Sequence, residues 1–331
     1  MHRILRSLAI AAVTATAVPL AVPFVTPPAW ADESARALYK QGLAYKAQGK
    51  NDEAIVAFEK SVALEPKNGM AWASLGHLYK KQGDHARTLA AYQEAVKYIK
   101  TDATVWGNLG MAFYRVDRVD EARTALETSI KLDAKAADVH SNLGVILRKQ
   151  GDTAGALREL EQAVKMAPTD ASYQNNYGVA LRTANKMPEA QAAFLQATTL
   201  APTEADYHFN LGVVYRRQDE VEKAIASYSR AVELNPAKAE AWYDLGHMYK
   251  LDHDDAKAVD AFNHFLALNA GKDPVAQKEI QGEITALGST PAPVRAATVR
   301  TDLPAATATA TVKTKKPVKK KKKKIVVKKT P

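Results

Sequence analysis

Basic side chains recur through this sequence at a fixed interval. Lys46, Lys80, Arg148, Arg182, Arg216 and Lys250 lie on a grid of 34 residues, with Tyr114 at the remaining point. The next residue along adds Lys81, Arg115, Lys149 and Arg217. Arginine suits carboxylates because its planar guanidinium bonds both oxygens at once. Asn108, Asn142, Asn176 and Asn210 keep the same interval. A side-chain amide donates and accepts together, which suits the backbone of an extended peptide. A second block of charge ends the chain: residues 313–331 hold eleven lysines and no acid, with Lys319, Lys320, Lys321, Lys322, Lys323 and Lys324 continuous. The chemistry open to these residues is the recognition of anions.

Covalent and metal chemistry finds no support. There is no cysteine, so disulfides, thiol nucleophiles and thiolate metal sites are excluded. His77 and His247 share one grid position five intervals apart, too far to hold one metal. His140 and His208 fall where large packing residues stand elsewhere. His253 lies in a turn beside Asp254 and Asp255, a usual polar turn composition. No phosphate-cradling glycine loop, His-Glu-x-x-His motif or nucleophile elbow occurs. No catalytic residue and no cofactor is expected.

The elements that position the cations follow from the glycines. Gly42, Gly76, Gly110, Gly144, Gly178, Gly212 and Gly246 are each 34 residues apart. Seven hits at one spacing mean stacked copies of one supersecondary unit. With Ala35 as position 1, positions 4, 7, 8 and 11 follow the i, i+3, i+4, i+7 rule of one helix face. Position 4 is Leu38, Trp72, Trp106, His140, Gln174, His208 and Trp242. Position 11 is aromatic or leucine, position 20 is alanine except Thr88, and position 24 is Phe, Tyr or Leu throughout. Gln48-Gly49-Lys50 and its counterparts mark a turn between two helices. Pro66, Pro168, Pro202 and Pro236 end the second helix at position 32. One such unit cannot bury its own apolar face, but a stack can. Asp273-Pro274 then starts a capping helix over 273–288, with Ala276, Ile280, Ile284 and Leu287 on its buried stripe.

These positions resemble the tetratricopeptide signature: a large residue, Leu-Gly, an aromatic, then alanine, an aromatic, alanine and proline. The resemblance covers 35–270, as units 35–68, 69–102, 103–136, 137–170, 171–204, 205–238 and 239–272. It implies an all-α, right-handed α-solenoid of helix-turn-helix units. It also implies a concave groove lined by the first helix of each unit, where partner peptides bind. Lys46, Lys80, Arg115, Arg148, Arg182, Arg216 and Lys250 would line that groove as a positive stripe, beside the ladder Asn108, Asn142, Asn176 and Asn210. The expected ligand is an extended, acidic segment of another protein.

The ends carry separate messages. Arg3 and Arg6 precede an uncharged, largely apolar run from Leu8 to Val25, and Ala29-Trp30-Ala31 fits a cleavage pattern. Residues 1–31 therefore read as a secretory signal peptide. Pro19 and Pro23 argue against a stable membrane-spanning helix. Residues 289–312, rich in Pro, Ala and Thr, read as a disordered linker, and 313–331 as a disordered lysine tail. Without the leader and the tail, the body carries 33 basic and 36 acidic residues. The chain reads as an exported scaffold, periplasmic or secreted, whose tail contacts an anionic membrane surface or envelope polymer. The alternative is a polyanion-binding protein acting mainly through that tail, with nucleic acid as one target.

Overall fold

The computed structural model describes residues 29–289. Most of the leader, almost all of the linker and the whole lysine tail lie outside the described residues. Among the described residues there are fifteen helices and no strand. Six pairs come first: α1 (Ala29–Ala47) with α2 (Asn51–Leu64), α3 (Gly69–Gln82) with α4 (His85–Tyr98), and α5 (Ala103–Arg115) with α6 (Val119–Leu132). Then come α7 (Ala137–Lys149) with α8 (Thr153–Met166), α9 (Ala171–Thr183) with α10 (Met187–Leu200), and α11 (Ala205–Arg217) with α12 (Val221–Leu234). A seventh pair, α13 (Ala239–Leu251) and α14 (Asp255–Leu268), is followed by α15 (Pro274–Ala286). The chain forms two compact units, one ending at Asn235 and one starting at Pro236. No described helix is long and apolar enough to cross a membrane. α1 begins at Ala29, so its first residues are those of the expected cleavage pattern.

The recurrent glycine sets the distance within each pair. A Cβ on Gly144 would lie 2.5 Å from Leu160, and one on Gly178 would lie 2.8 Å from the Phe194 ring. Gly42 meets Phe58 in the same way, Gly76 meets Tyr92, Gly110 meets Leu126, Gly212 meets Tyr228 and Gly246 meets Phe262. Each residue facing a glycine is essentially fully buried. The missing methyl lets the helices close onto it.

The turn inside each pair needs one left-handed residue at position 15. It is Gly49, Gly83, Asp117, Gly151, Asn185, Asp219 and His253, with φ between 58° and 83°. Only glycine adopts this region freely, and Asn and Asp tolerate it best among the rest. His253 is therefore a turn residue. Asp254 beside it caps α14 by accepting from the Lys257 amide at 3.1 Å.

A different bond joins successive repeats. Trp72, Trp106 and Trp242 each donate Nε1–H to a carbonyl six residues back, at position 32 of the preceding repeat, all at 2.9 Å. Gln174 donates to the Pro168 carbonyl at 3.1 Å, and His140 and His208 place Nε2 3.1 Å from the carbonyls of Ala134 and Pro202. Position 4 thus supplies an N–H in every repeat that has a predecessor. Leu38, in the first repeat, has no N–H to give and no preceding turn to bond. His140 also places Nδ1 2.7 Å from Glu159.

Helix α15 closes the second unit. Asp273 accepts from the amides of Val275 and Ala276, both at 3.0 Å, and Pro274 occupies the first turn. Ile280 and Ile284 are fully buried against Phe262, Phe265 and Leu266. Burial of each isoleucine is worth about 1.5–3 kcal/mol.

Urea denaturation checks these contacts. Gly178→Ala should destabilise by about 1–3 kcal/mol, because its methyl overlaps the Phe194 ring. Gly282→Ala, in α15 with open space around it, should stabilise by about 1 kcal/mol through helix propensity alone. His208→Leu should lose about 1 kcal/mol with its bond to Pro202, and His208→Gln should retain most of it.

Candidate functional site

The first helix of each repeat turns positions 6, 9, 12 and 13 away from the packed glycine face. In the first unit this surface collects the cations. Lys80, Lys81, His85 and Arg115 line a cleft of about 580 Å³, together with Asn108, Met111 and Asn142. No carboxylate lines it. His77 stands nearby at position 9. Burial, and then the ammonium groups of Lys46, Lys81 and Lys80, hold its pKa below the ordinary imidazole value of 6.5.

A second group lies further along. Arg182 is half-buried, and its pKa is lowered by desolvation and then by Arg217, Arg148 and Arg216. Its Nη1 donates to Asn210 Oδ1 at 3.3 Å, and its guanidinium lies 6.0 Å from the Phe194 ring centre. Between the two groups the positive run is interrupted. Tyr114 replaces a cation at position 12, and Lys149 bonds Asp117 at 2.6 Å, with Nζ 5.2 Å from the Tyr114 ring.

Several cations on or beside the second helices are held in local ion pairs. Arg87, Arg118, Arg123 and Lys165 each hold an acid three or four residues away, at 2.6–2.7 Å. Among the described residues, Lys46, Lys80, Lys81, Arg115, Arg148, Arg182 and Arg217 have no carboxylate at ion-pair distance.

Two expectations from the sequence meet a different environment. Lys250, in the second unit, is paired with Glu283 of the capping helix, and Tyr243 donates to Glu279 beside it at 3.1 Å. Its charge is neutralised within the protein. The asparagine ladder is also largely engaged internally. Asn108 donates to the Thr104 carbonyl and accepts from Lys80, Asn176 donates to Ser141 Oγ at 3.2 Å, and Asn210 donates to Asn175 Oδ1 at 2.9 Å. These last two bonds run from one repeat to the one before and fix the spacing of the first helices. Asn142 lines the cleft with no bond of this kind. Lys81 and Arg217, which the periodicity places at position 13, belong with the groove cations. His85 joins the cleft from the start of α4, outside the repeating grid. Among the described residues no group of three or more His, Cys, Asp or Glu could hold a metal ion.

A run of helix pairs whose first helices present polar residues is a repeat scaffold, a class built for contact with other chains. Comparison with known proteins gives the family. A family model described as the Cilia and flagella-associated protein 70 C-terminal domain matches residues 1–235, and a Tetratricopeptide repeat model matches 209–273. The chain belongs to this tetratricopeptide-repeat family, whose fold is typically a protein-interaction scaffold. No curated protein matches the sequence. Among solved structures, a tetratricopeptide repeat protein from Parabacteroides merdae aligns at TM-score 0.57 with 13% identity, over 78% of this chain and all of that one. PilF of Pseudomonas aeruginosa aligns at 0.55 with 19% identity, over 64% of this chain and 96% of that one. The Cut9–Hcn1 hetero-tetramer of the APC/C aligns at 0.55 with 23% identity; this chain covers 43% of that one, and 66% of this chain is matched. These likenesses establish the fold.

The electrostatics of the cleft can be read from one proton. The His77 ring should titrate below 6.5 by NMR, and Lys46→Gln or Lys80→Gln should raise its midpoint by removing a neighbouring positive charge. With the folded pKa depressed, His77 favours the folded state above about pH 6.5. That contribution is lost as pH falls through the unfolded value toward the folded one.

Proposed function

We propose that the chain is a scaffold that binds an extended, acidic segment of a partner protein along the first helices of its repeats. The observation that carries this reading is the row of cations left without carboxylates. Arg148, Arg182 and Arg217 repel one another, and Arg182 is half out of water, so an incoming carboxylate would relieve the repulsion and supply the missing acceptor. The cleft formed by Lys80, Lys81 and Arg115 offers a second place for negative charge.

The ends of the chain extend the proposal. Residues 1–31 would direct export to the periplasm or beyond, with cleavage near Ala31. Residues 313–331 would then hold the body near an anionic membrane surface or envelope polymer. Each lysine near an anionic lipid surface contributes on the order of 1 kcal/mol, and the attraction falls as salt rises.

The test is binding of a labelled glutamate-rich peptide to the full chain by fluorescence anisotropy. Arg148, Arg182 and Arg217 are then changed together to Gln, with circular dichroism to verify the fold. The lysine tail is present in both proteins and contributes equally. The expected result is a loss of about tenfold in affinity, equivalent to ~1.4 kcal/mol. Equal affinity of the two folded proteins would remove the groove from the function and leave the tail as the anion-binding element.

A further inference from the structure

Repeats four to six carry one set of groove residues three times over. Position 6, 9 and 12 read Asn142, Val145, Arg148; then Asn176, Val179, Arg182; then Asn210, Val213, Arg216. The other repeats differ: Lys40, Leu43, Lys46; Ser74, His77, Lys80; Asn108, Met111, Tyr114; and Asp244, His247, Lys250. In each of the three, an asparagine, a valine and an arginine follow one another along the same helix face. Val145 and Val179 are half-buried and Val213 is buried, which makes them an apolar floor between an amide row and a guanidinium row.

The spacing of these copies limits what can match them. The first helices α7, α9 and α11 touch directly, and Asn176 and Asn210 each bond back to the repeat before. Helices in direct contact lie about 8–10 Å apart. A polyproline II strand advances ~3.1 Å per residue and turns once every three residues. Three residues therefore span about one repeat. They also return a side chain to the same side of the strand. A β-strand alternates sides, so its acids could not meet successive arginines at this interval.

We infer that repeats four and five recognise a polyproline II segment with acidic residues three positions apart, one per repeat. The carboxylates meet Arg148 and Arg182. The intervening residues, small or proline, lie on the valine floor. This rests on the acidic-peptide reading above and narrows it from net charge to register.

The experiment compares labelled peptides of identical composition against the full chain at physiological ionic strength. One repeats Glu-Pro-Ala four times. The second groups its four glutamates together and the third separates them by one residue. The lysine tail sees the same charge in all three. The proposal expects the period-three peptide to bind about tenfold tighter than the other two. It also expects Arg148→Gln with Arg182→Gln to abolish that preference while leaving the melting curve cooperative. The comparison on the unaltered chain needs no variant and stands even if the double change unfolds the protein. Equal affinity for the three peptides, with all of them weakened by the double change, overturns the register and leaves the acidic groove in place. Insensitivity of every peptide to that change overturns both readings. A single-stranded oligonucleotide that displaces the period-three peptide with equal potency, and depends on Arg148 and Arg182 as strongly, also overturns the inference, because the groove would then be reading phosphate.

Discussion

The contact on which the rest depends is the one between a glycine and the side chain it faces. In each pair the first helix closes on a Phe, Tyr or Leu that would overlap a Cβ. Packing this close leaves the second helix almost no freedom to rotate. The rotation of the first helix then fixes which positions remain outside the core. Positions 6, 9, 12 and 13 flank or oppose the packed side because position 8 is pressed inward, with exposure that varies from repeat to repeat: Val213 is buried and Arg182 half-buried. The charged surface is in this sense a consequence of seven missing methyl groups.

Position 4 shows why part of this was legible and part was not. The 34-residue period, the helix pairs, the turn and the capping helix could be read from spacing, because glycine, alanine and aromatics have distinct packing volumes. In the sequence, position 4 reads as a place for packing residues, His140 and His208 included. Its common property is an N–H reaching the carbonyl that ends the previous repeat. Tryptophan satisfies bulk and donation together, so its presence cannot say which of the two is needed. Histidine and glutamine separate them, and Leu38 fits by lacking a side-chain donor where the residue six before it, Asp32, lies within α1.

The site was legible as a face but not as a set of partners. Helical periodicity placed Lys46, Lys80, Arg148 and Arg182 on one side. It could not show that Lys250 meets Glu283, since that contact depends on how a helix outside the repeating pattern docks. Nor could it show that Asn176 and Asn210 reach Ser141 and Asn175 in the repeat before. These two bonds tie each arginine-bearing helix to the one in the repeat before. Lys149 makes the same point in reverse: it shares a position with Arg115 and Arg217, and Asp117 pairs with it at the surface.

Concentrating like charges lowers stability unless something is gained elsewhere. The folded body carries slightly more acid than base, so a uniform distribution would give almost no field. Several acids are paired on or beside the second helices, and cations without a carboxylate at ion-pair distance recur along the first helices of the first unit. On the proposed reading, such a surface would orient an acidic chain before contact. Desolvation then acts on a charge already held in place: Arg182 is half-buried, bonded to Asn210 and flanked by Arg148 and Arg217. A guanidinium fixed in this way loses less freedom on binding than one free in water. On the proposed reading, a ligand whose negative charges arrive at the spacing of the repeats would relieve the repulsion that Arg148 and Arg217 exert on it.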